Sequence, residues 1–231
     1  MVLRISILVA IVSGLVGCTS PRGFDRGQLQ TAVAPETMVT EDEIQRVLDL
    51  KPQLTRPFKL GVYLRSPKSH HWSASWKWLP EDKESILAIG QALGAQGLVS
   101  ETVFISSTTA PNEELKSIRL AAARHGVDSV LVVGGISDMD RYNNSLGIAY
   151  ALIVTPFFVP GTVVDSIFVS HASLWDVRNG FLYASVEADG EATVTGPAAF
   201  VDESSVVTEA KERSLEALTS STKTHIENLG R

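Results

Sequence analysis

Few side chains in this sequence have the type and spacing that chemistry asks for. His70 and His71 stand side by side in the run Lys68-Ser69-His70-His71-Trp72-Ser73-Ala74-Ser75-Trp76-Lys77-Trp78, which also holds three of the four tryptophans. Imidazoles are good transition-metal ligands, but adjacent residues seldom bind one ion together, and no carboxylate or thiol lies near this pair in the chain. No metal and no cofactor are therefore expected. His70, His71, Trp72, Trp76 and Trp78 read instead as a candidate binding surface for glycan or protein, because tryptophan offers rigid contact area. The competing reading is that the tryptophans pin the loop to a sheet edge. Asp138-Met139-Asp140-Arg141-Tyr142-Asn143-Asn144 starts like a calcium loop, yet Tyr142 and Asn143 stand where that pattern needs an acid or amide and a glycine. A polar turn between strands is expected there. Asp165, Ser170 and His171 are close in sequence, but a triad is defined by geometry and not by proximity along a chain. No G-x-S-x-G, H-E-x-x-H, P-loop or dinucleotide fingerprint occurs. The expectation is a protein that is not an enzyme, with a hydrolase of unrecognised site as an alternative.

Cys18 is the one cysteine in the chain, so no internal disulfide forms. Arg4 and the apolar run from Ile5 to Val16 precede it, a pattern of charge and length that fits a signal peptide and is too short to span a bilayer. Leu15-Val16-Gly17-Cys18 resembles the lipobox of bacterial lipoproteins. The resemblance implies cleavage between Gly17 and Cys18, a diacylglycerol on the Cys18 sulfur and a further acyl chain on the new amino terminus. Two or three acyl chains anchor a domain durably, at about 0.8 kcal/mol per buried methylene. Thr19 in place of aspartate implies, by the same resemblance, an outer-membrane lipoprotein facing the periplasm. The expected partners are the membrane, through the lipid, and an envelope protein or peptidoglycan.

These residues need a scaffold. The reading divides the chain into a signal peptide (1–17), a lipidated flexible tether (18–39) and a single α+β domain (40–231). A coil the length of that tether reaches about 25 Å. The net charge is −6 and no Lys/Arg cluster occurs, which excludes the electrostatic footprint of a nucleic-acid binder. Thr40 caps a short helix with Ile44, Val47 and Leu48 on one face. Strands are expected over 58–64, 98–105 and 127–133, with helices opening at Pro80 and Pro111 between them. Further strands are expected over 148–155, 167–177 and 181–187, the last two joined at Asn179-Gly180 by a type I′ turn with positive φ at both residues. An amphipathic helix from Ser204 to Leu229 follows. The result is a mixed sheet, β-α-β-α-β followed by β-hairpins, with helices mainly on one face and a long C-terminal helix.

Residues 143–164 carry no charge. They read as two buried strands, with a spanning helix opposed by Gly147, Pro156, Pro160 and Gly161. The other reading is an apolar tip at Phe157 and Phe158 that meets lipid or a partner, since exposed phenylalanine pairs mark contact sites. GVDSVLVVGGISD, SLGIAYALIVTPFFVPG, SLWDVRNGFLYAS and the closing helix together resemble the rhombotarget lipoproteins over residues 57–229. They are more distantly similar to the curli-secretion lipoprotein, the penicillin-binding-protein activator lipoproteins and the amino-terminal domain of TolB. The Gly-Gly, hydrophobic helix and basic tail of the rhombotarget pattern do not follow Leu229, so proteolysis there is not implied. Curli-type insertion of hairpins implies an alternative, an oligomeric secretion or pore component. Gly147 to Val154 lacks the alternation that a barrel strand requires. A non-enzymatic envelope lipoprotein is the expected function.

Overall fold

Near-continuous apolar runs form the middle of a sheet because both of their faces must be covered. The computed structural model describes residues 20–33, 40–110, 112–151 and 155–228; Gly17, Cys18 and Leu229 lie outside the described residues. Strand β1 (Phe58–Leu64) is buried at every position but Lys59. It lies parallel to both β4 (Ser129–Asn143) and β3 (Val99–Ile105). β4 pairs antiparallel with β5 (Thr162–Asp176), and β5 with β6 (Leu182–Gly196). The sheet order is thus β3-β1-β4-β5-β6, with the two-residue β2 (Lys68–Ser69) parallel to the far half of β4.

Both faces are covered. Helices α3 (Pro80–Ala95) and α5 (Glu203–Asn228) enclose a core with Leu60, Val62, Leu131, Val133 and Leu174 of the sheet. On the opposite face α4 (Leu115–Arg124) covers Tyr63, Val130 and Val132, and α1 (Arg26–Val33) sets Leu29 among Ile136, Ile167 and Val169. The two larger helices therefore share a face, as an α+β mixed sheet with a long C-terminal helix requires. α5 lies so close on β6 that a Cβ at Gly190 would stand 2.3 Å from the Ala210 carbonyl oxygen. Thr40 caps α2 (Glu41–Leu48) by accepting from the Glu43 amide, and no residue of that helix is buried. Among the described residues no helix is long and apolar enough to cross a membrane.

Five expectations need correction. Residues 20–33 are not a free tether: residues 22–25 are bonded to the sheet or lead into α1, and α1 lies on the sheet with Leu29 1% exposed. The third strand does not stop at Val133 but runs on as β4 through Asp138 and Asp140 to Asn143. Gly134 and Gly135 allow this, since a Cβ at either would stand about 2.5 Å from the ring of His171 or Phe168 on β5. Residues 145–151 and 155–157 form 3-10 turns in place of a strand, with 152–154 outside the described residues. The Tyr150 hydroxyl knits that loop by donating to the Val159 carbonyl and accepting from the Gly161 and Ala198 amides. The hairpin at Asn179-Gly180 is not type I′, because only Gly180 has positive φ (77°). Its longer connection is shaped by the Asp176 carboxylate, which accepts from the Arg178 and Asn179 amides. Finally, the second helix opens at Leu115 and not at Pro111, which lies outside the described residues.

Candidate functional site

Alternation along β4 puts Ile136, Asp138 and Asp140 on one face of the sheet, the face that α1 covers. β2 runs beside this half of β4, and the His70 amide donates to the Ser137 carbonyl at 2.8 Å. That pairing carries His71 to Asp138, with Nδ1 2.9 Å from Oδ1. Arg22 completes the cluster. Its Nη2 lies 3.2 and 3.3 Å from the two Asp138 oxygens and donates to the Met139 carbonyl, while Nη1 lies 2.9 Å from His71 Nε2. A guanidinium only donates, so Nε2 accepts, and the proton of the neutral ring sits on Nδ1 toward Asp138.

The backbone joins in. Asp140 Oδ2 accepts from the amides of Arg22 and Gly23, and Asp138 Oδ1 accepts from the Met139 amide at 2.8 Å. The Asp138 side chain is 5% exposed, against 41% for His71 and 47% for Arg22. Asp138 thus takes the Arg22 guanidinium and Asp140 the backbone amides beside it, at the mouth of a cavity of about 360 Å³ lined by Arg22, Phe24, Asp25, Gln28, His70 and Asp138. Farther along, Arg26 reaches Asp189 and Glu191, and Gln30 reaches Glu187, along the acidic outer face of β6. Burying Leu29 beneath these contacts contributes about 1.5–3 kcal/mol. The segment is latched by charge at one end and by an apolar plug at the other.

The residues expected to form a binding surface divide. Trp72 is 90% exposed, but Trp76 and Trp78 are structural. Trp76 donates to the Lys68 carbonyl and meets Trp78 and Phe168 edge-on at 4.8 and 4.7 Å. Trp78 donates to the Arg65 carbonyl. Phe157 and Phe158 are exposed beyond the end of β4, and Phe157 has Phe200 as an aromatic neighbour at 6.2 Å. Two things count against the histidine pair as ligands in the sequence, their adjacency and the lack of a nearby carboxylate or thiol. Folding supplies one, Asp138, from the segment expected to be a turn. Arg22 was missed altogether. The available signal was an acid pair at i and i+2 in an otherwise apolar run, which in a strand puts two carboxylates on one face and calls for a cation.

Other candidates fall apart. Ser170 and His171 project from opposite faces of β5, Ser170 toward Ser214 and His171 toward Gly134. Asp165 is engaged by Tyr142 and Thr193. His125 closes α4, its Nδ1 2.8 Å from the Ala121 carbonyl oxygen. Burial, then the charges of Arg65 and Lys68, push His171 down to about 4.

No family model matches the chain, and no curated protein matches it. Among solved structures, a minor lipoprotein from Acinetobacter baumannii is similar at 11% identity, covering 74% of this chain and 90% of that one, with a TM-score of 0.38. The C-terminal domain of LpoB from Salmonella enterica is similar at 12% identity, covering 59% and 84%, with a TM-score of 0.34. PelC from Paraburkholderia phytofirmans, a dodecamer, is similar at 20% identity, covering 76% and 93%, with a TM-score of 0.29. All three likenesses are distant.

Proposed function

We propose that the chain is a non-enzymatic lipoprotein of the outer membrane, anchored through acylated Cys18 and facing the periplasm, that binds a protein or peptidoglycan component of the envelope. The observation that carries this reading is the latch at Arg22, four residues (22 − 18) after the cysteine of the lipobox-like sequence. A chain fixed that close to its anchor holds its domain beside the membrane, where envelope components are within reach. The candidate contact residues are Trp72, Phe157 and Phe158, the exposed aromatic hydrophobes of the expected surface, with exposed His70 and half-buried His71 just before Trp72. Interfaces favour such aromatic anchors.

Fractionation of cells expressing the full chain tests the anchor. The native sequence is expected in the outer membrane and Cys18→Ser in the soluble periplasm, with globomycin blocking maturation of the former. A Cys18→Ser protein that stays in the membrane sinks the lipid anchor and favours the pore alternative, in which the Phe157–Phe158 tip inserts. The 3-10 turns on either side of residues 152–154 offer that alternative no paired strands. Photocrosslinkers at Trp72 and Phe158 then test the contact surface. Capture of an envelope component from either position supports it, and capture only from control positions on α4 overturns it.

A further inference from the structure

We propose that His70, His71 and Asp138 form a binding site for one divalent transition-metal ion of the zinc class, and that the ion and the Arg22 guanidinium compete for it. Each of the three side chains offers one ligand atom, and these atoms lie within 4.8 Å of one another. Around zinc, ligands at about 2.0–2.1 Å in a tetrahedron stand roughly 3.4 Å apart. Small side-chain rotations therefore suffice to close the site. Asp138 is the fixed wall of it, buried in β4 and held by the Met139 amide, an arrangement that orients a ligating carboxylate. His71 already points Nδ1 at that carboxylate, and once Arg22 leaves Nε2 the ring proton can sit there, which frees the Nδ1 lone pair for the ion. His70 is exposed and, among the described residues, bonded through its backbone to Ser137, with its ring edge-on to His71 at 4.7 Å, so its side chain can swing in as third ligand. The adjoining cavity leaves room for water in the fourth position. Two imidazoles and a carboxylate suit zinc, copper or nickel, and are poorly matched to calcium or magnesium.

Arg22 is the internal rival. Its Nη2 lies against both Asp138 oxygens and its Nη1 occupies His71 Nε2. A dication cannot share that carboxylate with the guanidinium without strong repulsion in a half-buried setting. Asp138 and Asp140 together carry two negative charges against the one on Arg22, so the pocket retains an attraction for further positive charge. Metal entry thus unfastens the charged end of the latch, while Leu29 keeps its seat.

The test is a titration of the full chain carrying Cys18→Ser, so that no thiol contributes, with Zn²⁺ and separately with Co²⁺. One ion per chain is expected. Cobalt should give the visible bands of a four-coordinate site, with no thiolate charge transfer. His70→Ala, which alters an exposed side chain and should leave the metal-free melting midpoint unchanged, is expected to weaken binding at least about ten-fold. Arg22→Gln is expected to tighten it several-fold, and Zn²⁺ should accelerate tryptic cleavage after Arg22 in the native latch. No binding, or binding indifferent to His70→Ala, overturns the site. Binding that Arg22→Gln leaves unchanged, with no gain in cleavage, overturns the competition.

Discussion

His171 shows what burial does to one residue. Its ring is held against Gly134, its Nδ1 has no hydrogen-bond partner among the described residues, and Arg65 and Lys68 stand near it. All of this disfavours the imidazolium, and the group titrates at about 4 in the fold against 6.5 when free. A lowered histidine pKa means that the unfolded chain binds the extra proton first. Stability is therefore complete above about pH 6.5 and falls as pH drops toward 4, by at most about 3 kcal/mol. Melting midpoints across that window should decline in the native protein and decline less in His171→Gln. Parallel curves for the two would remove His171 as the cause. Nothing in the run Val169-Ser170-His171-Ala172 announces this, because the effect depends on Gly134 and Arg65, which are far away in sequence.

At the scale of elements, the joint between α3 and α5 holds a buried ion pair beside its apolar core. Lys211 Nζ lies 2.5 Å from Asp82 Oδ2 and donates to the Lys77 carbonyl, with both charged side chains nearly inaccessible. Asp82 also accepts from the Leu79 amide and so caps α3. Breaking a buried pair from one side leaves a stranded charge and costs about 3–5 kcal/mol, whereas an apolar replacement of both partners costs far less. Asp82→Ala should thus lower the urea midpoint sharply, and adding Lys211→Met should recover a large part. A double variant no better than the single one would show that the loss comes from the cap and not from the stranded lysine. The helices themselves were legible: α3 from Pro80 and its apolar spacing, α5 from its stripe of Val207, Ala210, Leu218 and Ile226. The pair was not, because Lys211 and Asp82 read as ordinary solvent-facing charges 129 residues apart. The far half of β4 was hidden for a related reason. Gly-Gly followed by Asp-Met-Asp has the composition of a turn, and only the rings of β5 and the cation from Arg22 make it a buried strand. The metal-ligand candidates were obscured in the same way, since one of the three, Asp138, lay in that supposed turn.

For the molecule as a whole, the latch fixes how far the domain stands from its anchor. With Arg22 docked on Asp138 and Asp140, four residues (22 − 18) separate the fixed chain from Cys18, about 14 Å at full extension. Without the latch and α1, the next fixed residue is Lys51, whose carbonyl accepts from the Asn179 side chain, since α2 buries no residue, and the intervening 33 residues (51 − 18) span about 30 Å as a coil. The difference decides whether the exposed Trp72 sits near the headgroups or well clear of them. Arg22→Ala combined with Leu29→Asp removes the guanidinium contact and the apolar plug, since the new carboxylate would have to be buried among Ile136, Ile167 and Val169. In vesicles carrying a dansylated headgroup lipid, tryptophan-to-dansyl energy transfer should be high for the acylated native protein and lower for this double variant. A Cys18→Ser control should show little transfer with or without the latch changes, which separates loss of the anchor from lengthening of the tether. Equal transfer from the acylated native and double-variant proteins would mean that the domain is held to the bilayer by its own surface, and that the four-residue spacing sets nothing.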